Sequence, residues 1–187
     1  MNMRIQIILF PLLIFFLSAC IKEDTEPSAS KIETGSKLPY FTLTDSVGNR
    51  LSSDKFKGNT VLIVFFSTTC KDCQRELPVM ESIWKNLRSE DRFLLLPIAR
   101  KQTAEEVKSY WEAQHFSMPY YLDSSGEIYS LFATKTIPRF YLANREGIVI
   151  WQEAEVLTRN AEEITAWVKE YLSSYNFSIS SLESPEL

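Results

Sequence analysis

The residues best suited to chemistry in this chain are two cysteines, Cys70 and Cys73, which are separated by Lys71 and Asp72. An apolar run, Val61–Phe66, precedes them and helical periodicity follows them, so the pair should lie where a buried strand turns into a helix. The unpaired N–H groups and partial positive charge at a helix N-terminus stabilise a thiolate on the first cysteine. We therefore predict that Cys70 is a nucleophile and that Cys73 is its resolving partner.

A structural disulfide or half of a zinc site would use the same pair of cysteines. A structural zinc ion normally takes four protein ligands, and Cys20 and His115 are the only other cysteine and histidine in the sequence. A buried strand, a CxxC spacing and a following helix together are the context of a redox motif. The pattern therefore favours thiol–disulfide exchange by Cys70 and Cys73, and it indicates no metal, nucleotide or haem site.

The first part of the chain has the features of an export signal. A positive charge precedes an apolar stretch, Ile5–Leu17, which is short for a membrane span. The stretch ends in Leu17-Ser18-Ala19-Cys20, which resembles the lipobox of bacterial lipoproteins, so we predict a signal peptide over residues 1–19 and a lipid on Cys20. An ordinary secretory signal, or a signal anchor with an incidental cysteine, is the alternative.

The next segment, residues 20–36, is polar and aperiodic, which is typical of a flexible tether. If Cys20 carries lipid, the two remaining thiols lie outside the reducing cytosol, where they stay reduced only when a redox partner supplies electrons. We predict a protein anchored in the bacterial cell envelope and facing the periplasm, with the outer membrane favoured and a membrane electron donor as a partner. Lys22-Glu23-Asp24 resembles signals for surface export, and a solvated linker would look the same.

The rest of the chain is about one domain long. Its composition limits the size of its core and the classes of function it can have. Hydrophobic residues make up 45% of the sequence and aromatic residues 13%, which is enough for a single core. The formal net charge is -4, so the chain lacks the basic footprint of a nucleic-acid-binding protein.

The apolar patterns predict an α/β domain over residues 37–173 and a loosely ordered tail over 174–187. Strands and helices alternate, which implies a central mixed sheet with helices on both faces. The predicted elements are a hairpin within 38–51, strands at 61–66 and 93–99, a helix after each of them, a strand at 120–122, a helix at 128–132, a hairpin within 140–151 and a final helix from 160.

The order and spacing of these segments resemble the thioredoxin-like superfamily, in particular the redoxin branch of TlpA/ResA-type membrane-anchored thiol-disulfide oxidoreductases. The resemblance runs from about residue 35 to residue 172, and the segments that carry it are Leu38–Leu43, Phe56-Lys57-Gly58, Phe65–Cys73, Glu76-Leu77-Pro78 and Thr136-Ile137-Pro138. It implies a thioredoxin-like fold with an N-terminal β-hairpin and a central insert. It also implies an enzyme that exchanges disulfides with protein clients, with reduction as the favoured direction.

The resemblance assigns roles to three further residues. It implies that Pro138 is a cis-proline facing the dithiol, so that the backbone of Ile137 would hold an extended substrate segment by strand-like pairing. An ordinary trans proline at the start of an edge strand is the alternative. Glu76 falls where such reductases carry an acidic residue that would move protons for Cys73, and an exposed glutamate in the first helical turn would look the same.

Three positions depart from the family pattern. Thr69 stands where the family usually has tryptophan, and Asp72 replaces a common proline. Val64 stands where thioredoxin itself has a buried aspartate, so a proton relay would have to use Glu76 or water.

Other functions on a related scaffold fit the sequence less well. A peroxiredoxin would share the hairpin and a residue such as Ser67, but Ile63 stands where its motif has proline. A copper-binding protein of the Sco type would need a CxxxC motif and a suitably placed histidine, whereas His115 follows a predicted helix. A non-catalytic binding module would not need an intact CxxC.

Overall fold

The computed structural model describes residues 29–180. The predicted signal peptide, Cys20 and the first part of the predicted tether lie outside the described residues, as do residues 181–187. Within the described range, none of the helices combines the length and the apolar character needed to cross a bilayer.

Strands and helices alternate through residues 29–180, as predicted. The strands are β1 (Thr42–Asp45), β2 (Arg50–Ser52), β3 (Thr60–Phe66), β4 (Phe93–Arg100), β5 (Tyr121–Asp123), β6 (Arg139–Ala143) and β7 (Val149–Ala154). The helices are α1 (Lys71–Leu87), α2 (Ala104–Gln114), α3 (Glu127–Phe132) and α4 (Ala161–Ser180), and a 3₁₀ turn covers Ser53–Phe56.

The strands form one mixed sheet in the order β2-β1-β5-β4-β3-β6-β7. The central strand, β3, pairs in parallel with β4 and antiparallel with β6. Every residue of β3 is buried, because the sheet is covered on both faces, and this explains why its sequence is a continuous apolar run. The predicted mixed sheet flanked by helices is confirmed.

Alternate side chains of β3 pack into two separate apolar cores. Leu62, Val64 and Phe66 join a core with α1, α2 and α4, and the intervening side chains join a core with the aromatic residues of α3. Val64, which replaces the aspartate of thioredoxin, is therefore an ordinary core residue. Because β3 is held from both sides, the loop that follows Phe66 starts from a rigid position at the carboxyl end of the strand.

Residues on either side of 37–173 also form backbone hydrogen bonds in the described structure. Part of the predicted tether pairs with the outer edge of β7, where the Gly35 N–H donates to the Val149 carbonyl at 2.8 Å. An edge strand has free N–H and C=O groups that a neighbouring segment can satisfy. The backbone is also helical through Ser180, because an established helix gains a hydrogen bond with each added residue.

Candidate active site

The two cysteines lie at the N-terminus of α1, as predicted. Cys70 is the N-cap residue of this helix, and its Sγ accepts a hydrogen bond from the Cys73 N–H at 3.4 Å. A thiol sulfur thus occupies the position where a serine or aspartate oxygen usually caps a helix. Cys70 is partly accessible, Cys73 is fully buried, and both are free thiols. The accessible sulfur is therefore the one predicted to be the nucleophile.

The buried position of Cys73 disfavours its ionisation. Burial, together with the hydrogen bond to Cys70, raises the pKa of the Cys73 thiol well above its ordinary value, and a backbone hydrogen bond from Ser67 opposes this only in part. A thiol that is protonated at neutral pH is a poor nucleophile. Cys73 therefore needs a proton acceptor before it can attack another sulfur.

The loop that contains Pro138 lies against Cys70. The Ile137–Pro138 peptide bond is cis, and the Cys70 thiol donates to the Ile137 carbonyl with an Sγ···O distance of 3.6 Å. Strand β6 begins directly after Pro138 and pairs with the end of β3 through Arg139 and Phe65, which brings the loop beside the CxxC turn. The fold thus brings together two segments that are far apart in sequence.

Glu76 is buried, with 6% of its surface exposed. It lies one helical turn after Cys73 on the same face of α1, and it accepts a hydrogen bond from Arg75 Nε at 3.0 Å. The alternative of an exposed glutamate is wrong, because Glu76 lies on the side of α1 that packs against the core with Cys73 and Leu77. A buried carboxylate therefore lies one helical turn from the thiol that needs a proton acceptor.

The surface beside Cys70 is small and polar. The Thr69 hydroxyl lies 3.0 Å from the Ser67 hydroxyl, where the family usually has a large aromatic ring. Asp72 forms an exposed ion pair with Arg75 at 2.9 Å, so its negative charge is partly balanced.

A buried glutamine that the sequence analysis missed holds the loop before Cys70. The Thr68 N–H donates to Gln102 Oε1 at 2.8 Å, and Gln102 Nε2 donates to the Thr68 hydroxyl at 2.6 Å. Gln74 Nε2 donates to the Thr68 carbonyl at 2.7 Å. Gln102 lies two residues after the end of β4, at the carboxyl edge of the sheet where Cys70 also lies. A polar residue at this position after a predicted buried strand was the sequence signal that could have identified it.

Tyr110, on α2, is partly buried and packs against the core that contains Cys73. Burial and the charge of a Cys73 thiolate both raise the pKa of the Tyr110 hydroxyl. In the described part of the chain, no three His, Cys, Asp or Glu side chains converge as metal ligands. His115 is the exposed C-cap residue of α2.

Comparison with known proteins agrees with this geometry. A sequence model of the Redoxin family matches residues 33–167. The thiol-disulfide oxidoreductase ResA of Bacillus thuringiensis subsp. konkukian (strain 97-27) is 28% identical over 142 residues, which cover 76% of this chain and 78% of the relative. The sporulation thiol-disulfide oxidoreductase A of Bacillus subtilis (strain 168) is 24% identical over 170 residues, which cover 90% and 96% of the two chains.

A solved structure has a fold similar to that of this chain. The crystal structure of a thiol:disulfide interchange protein of the thioredoxin family from Chlorobium tepidum TLS superposes with a TM-score of 0.62 at 24% identity. The match covers 74% of this chain and 97% of that chain. The predicted thioredoxin-like fold is confirmed.

Proposed function

The chain belongs to the redoxin family, and from this membership we propose that it is a thiol-disulfide oxidoreductase of the ResA type that acts on protein disulfides. The observation that carries the proposal is the position of Cys70. Its sulfur caps α1, is partly accessible, and lies between the buried Cys73 and the carbonyl of Ile137. These positions suit an attacking sulfur, a resolving sulfur and a backbone site for substrate.

The reaction begins with attack of the Cys70 thiolate on one sulfur of a client disulfide. A Cys70–client S–S bond forms, the client disulfide breaks, and the departing client sulfur takes up a proton. Cys73 then loses its proton and attacks the Cys70 sulfur, which releases the second client thiol. Two electrons have moved to the client, and a Cys70–Cys73 disulfide remains until a membrane dithiol donor reduces it.

We propose Glu76 as the proton acceptor for Cys73. Support comes from its burial and its position one turn along the same helix face. A carboxylate in this position suits the raised pKa of Cys73, because the attacking form of the thiol is made only when a base removes its proton.

Trapping of client proteins tests the roles of the two cysteines. We expect Cys73→Ser to accumulate mixed disulfides with clients, because the attacking sulfur remains and the resolving sulfur is gone. Cys70→Ser is the matched control and should trap none. Equal trapping by the two variants, or preferential alkylation of Cys73 in the reduced wild-type protein, would contradict the assignment.

The proposed physiological direction is reduction of the client, which is supported by the resemblance to TlpA/ResA-type reductases. Equilibration of the Cys70–Cys73 couple with glutathione or dithiothreitol measures its potential. We expect a value near that of thioredoxin, about -270 mV, whereas a value near that of DsbA, about -120 mV, would reverse the direction.

We further propose that Cys20 carries a lipid that anchors the protein in the cell envelope, facing the periplasm and with the outer membrane favoured. Support comes from the apolar stretch that ends in Leu17-Ser18-Ala19-Cys20. A clickable palmitate analogue should label the wild-type protein and leave Cys20→Ala unlabelled. Recovery of the wild-type protein in soluble, unlabelled form would refute the anchor.

A further inference from the structure

The loop before the CxxC motif is held by a buried polar group from a distant part of the chain. Gln102 and Thr68 are separated by 34 residues, and two hydrogen bonds join the Gln102 amide to the N–H and the hydroxyl of Thr68. A third bond joins Gln74 on α1 to the Thr68 carbonyl. We call these three residues the Gln102 clamp.

The clamp satisfies both backbone groups of Thr68, which have no strand or helix partner of their own. Thr68 and Gln102 have 8% and 6% of their surfaces exposed, so water cannot readily replace a lost bond. A buried N–H or C=O without a partner is costly. The loop conformation that leads into Cys70 therefore depends on Gln102 on one side and on Gln74 on the other.

The position of the Cys70 sulfur follows from this loop. Its capping contact with the Cys73 N–H is 3.4 Å long and its contact with the Ile137 carbonyl is 3.6 Å long. Both lengths are ordinary for hydrogen bonds of sulfur, and such bonds weaken as the distance and the angle depart from these values. A small displacement of Thr68 would therefore weaken the interaction between the helix N-terminus and a Cys70 thiolate.

We propose that Gln102 is a positioning residue for the redox dithiol, acting through Thr68 to hold the Cys70 sulfur over the N-terminus of α1. The proposal rests on the proposed function. An anionic Cys70 thiolate accepts the hydrogen bond from the Cys73 N–H more strongly than an uncharged disulfide sulfur would, so the clamp stabilises the reduced form more than the disulfide. Loss of the clamp makes the dithiol less stable relative to the disulfide. The protein then becomes a stronger reductant.

The position of the dithiol–disulfide equilibrium in a glutathione buffer tests this inference. We expect Gln102→Leu to shift the equilibrium constant three- to tenfold toward the disulfide, since one hydrogen bond contributes on the order of a fivefold change. A tenfold change corresponds to about 30 mV for this two-electron couple. Thr68→Val, which removes one of the two bonds to the amide, should give a smaller shift in the same direction.

Two conservative variants serve as controls. Thr68→Ser keeps the hydroxyl and should retain the wild-type equilibrium. Ser124→Ala removes a hydrogen bond to the Gln102 backbone carbonyl, 2.9 Å long, without touching the clamp, and should also retain it. If Gln102→Leu does not fold, the comparison of Thr68→Val with Thr68→Ser carries the test.

A purely structural role for Gln102 gives a different result. In that case the variants lose stability equally in the reduced and oxidised forms, and the equilibrium with glutathione stays at the wild-type value. That outcome, or a shift toward the dithiol, would overturn the proposal. The measurement needs no client protein, so a chain that forms the Cys70–Cys73 disulfide but reduces no client would refute the proposed function and leave this inference standing.

Discussion

Two parts of helix α1 each bury a glutamate, and their surroundings differ. In the middle of the helix, Glu81 accepts hydrogen bonds from the Ser117 N–H at 3.0 Å, the Ser117 hydroxyl at 2.7 Å and the Met118 N–H at 2.9 Å. Lys85 adds an ion pair at 3.1 Å. Near the dithiol, Glu76 accepts from Arg75, and no second donor to it is seen among residues 29–180.

The contrast separates a carboxylate that several donors hold from one that accepts a hydrogen bond from Arg75. Burial by itself would raise the pKa of Glu81, but the hydrogen bonds from Ser117, Met118 and Lys85 outweigh burial and hold that pKa below its ordinary value. Glu81 therefore stays ionised and ties α1 to the segment after α2. Glu76 accepts fewer hydrogen bonds and lies one helical turn from the buried Cys73, and this arrangement is the basis on which we propose it as the proton acceptor.

The largest effect should come from removing the Glu81 side chain. We expect Glu81→Ala to lower the free energy of unfolding by about 2–4 kcal/mol, because the buried Met118 N–H and both donors of Ser117 lose their charged acceptor. Urea denaturation measures the change. The rate of disulfide exchange per folded molecule should stay at the wild-type value, and a loss of that rate would show that Glu81 also serves the dithiol.

Replacing Glu76 should have a small effect on the free energy of unfolding and a larger effect on the rate of disulfide exchange. We expect Glu76→Gln to slow disulfide exchange by no more than about 100-fold, the low end for general acid–base catalysis, and to change its dependence on pH. Rates measured from about pH 5 to 9 test this.

Glu81→Gln is the matched control, since it also neutralises a buried glutamate of α1. It should leave the shape of the pH profile unchanged. Superimposable profiles for wild type and Glu76→Gln would mean that Glu76 is not the proton acceptor and that water serves Cys73.

A smaller effect concerns the acid dependence of stability. The folded pKa of Glu81 lies below its unfolded value of about 4.3, so its contribution is complete above the unfolded pKa and is lost as the pH falls through the folded pKa. Between about pH 5 and 3, the free energy of unfolding should fall more steeply in wild type than in Glu81→Gln. Parallel slopes would argue against a lowered pKa.

The smallest effect should come from Lys85, the exposed partner of Glu81. Its side chain is 59% exposed, so we expect Lys85→Ala to cost less than about 1 kcal/mol and to cost less still at high salt. Lys108, which pairs with Glu112 at 3.9 Å between two exposed side chains, is the control and should show almost no change when replaced by alanine. A cost for Lys85→Ala as large as that of Glu81→Ala would mean that the ion pair dominates the site.

The sequence by itself determined the strand and the helix that position the candidate site. The apolar run Val61–Phe66 predicted a central buried strand, and the periodicity after Cys73 predicted the helix that Cys70 caps. Both are local patterns, because side chains of one strand or one helix repeat at a period set by backbone geometry. The order of the elements was enough to predict the mixed sheet and, through resemblance, the loop of Pro138.

Only the tertiary structure decided the contacts that distinguish one polar residue from another. Glu76 and Glu81 lie on the same helix with similar burial, and their different roles depend on whether donors such as Ser117 reach them. The support of Thr68 by Gln102 likewise joins residues separated by 34 positions. The pairing of residues before 37 with β7 and the continuation of α4 also lay beyond local patterns. Hydrogen bonds between residues that are far apart in sequence depend on how the whole domain packs. The periodicity of a single strand or helix carries no information about such contacts.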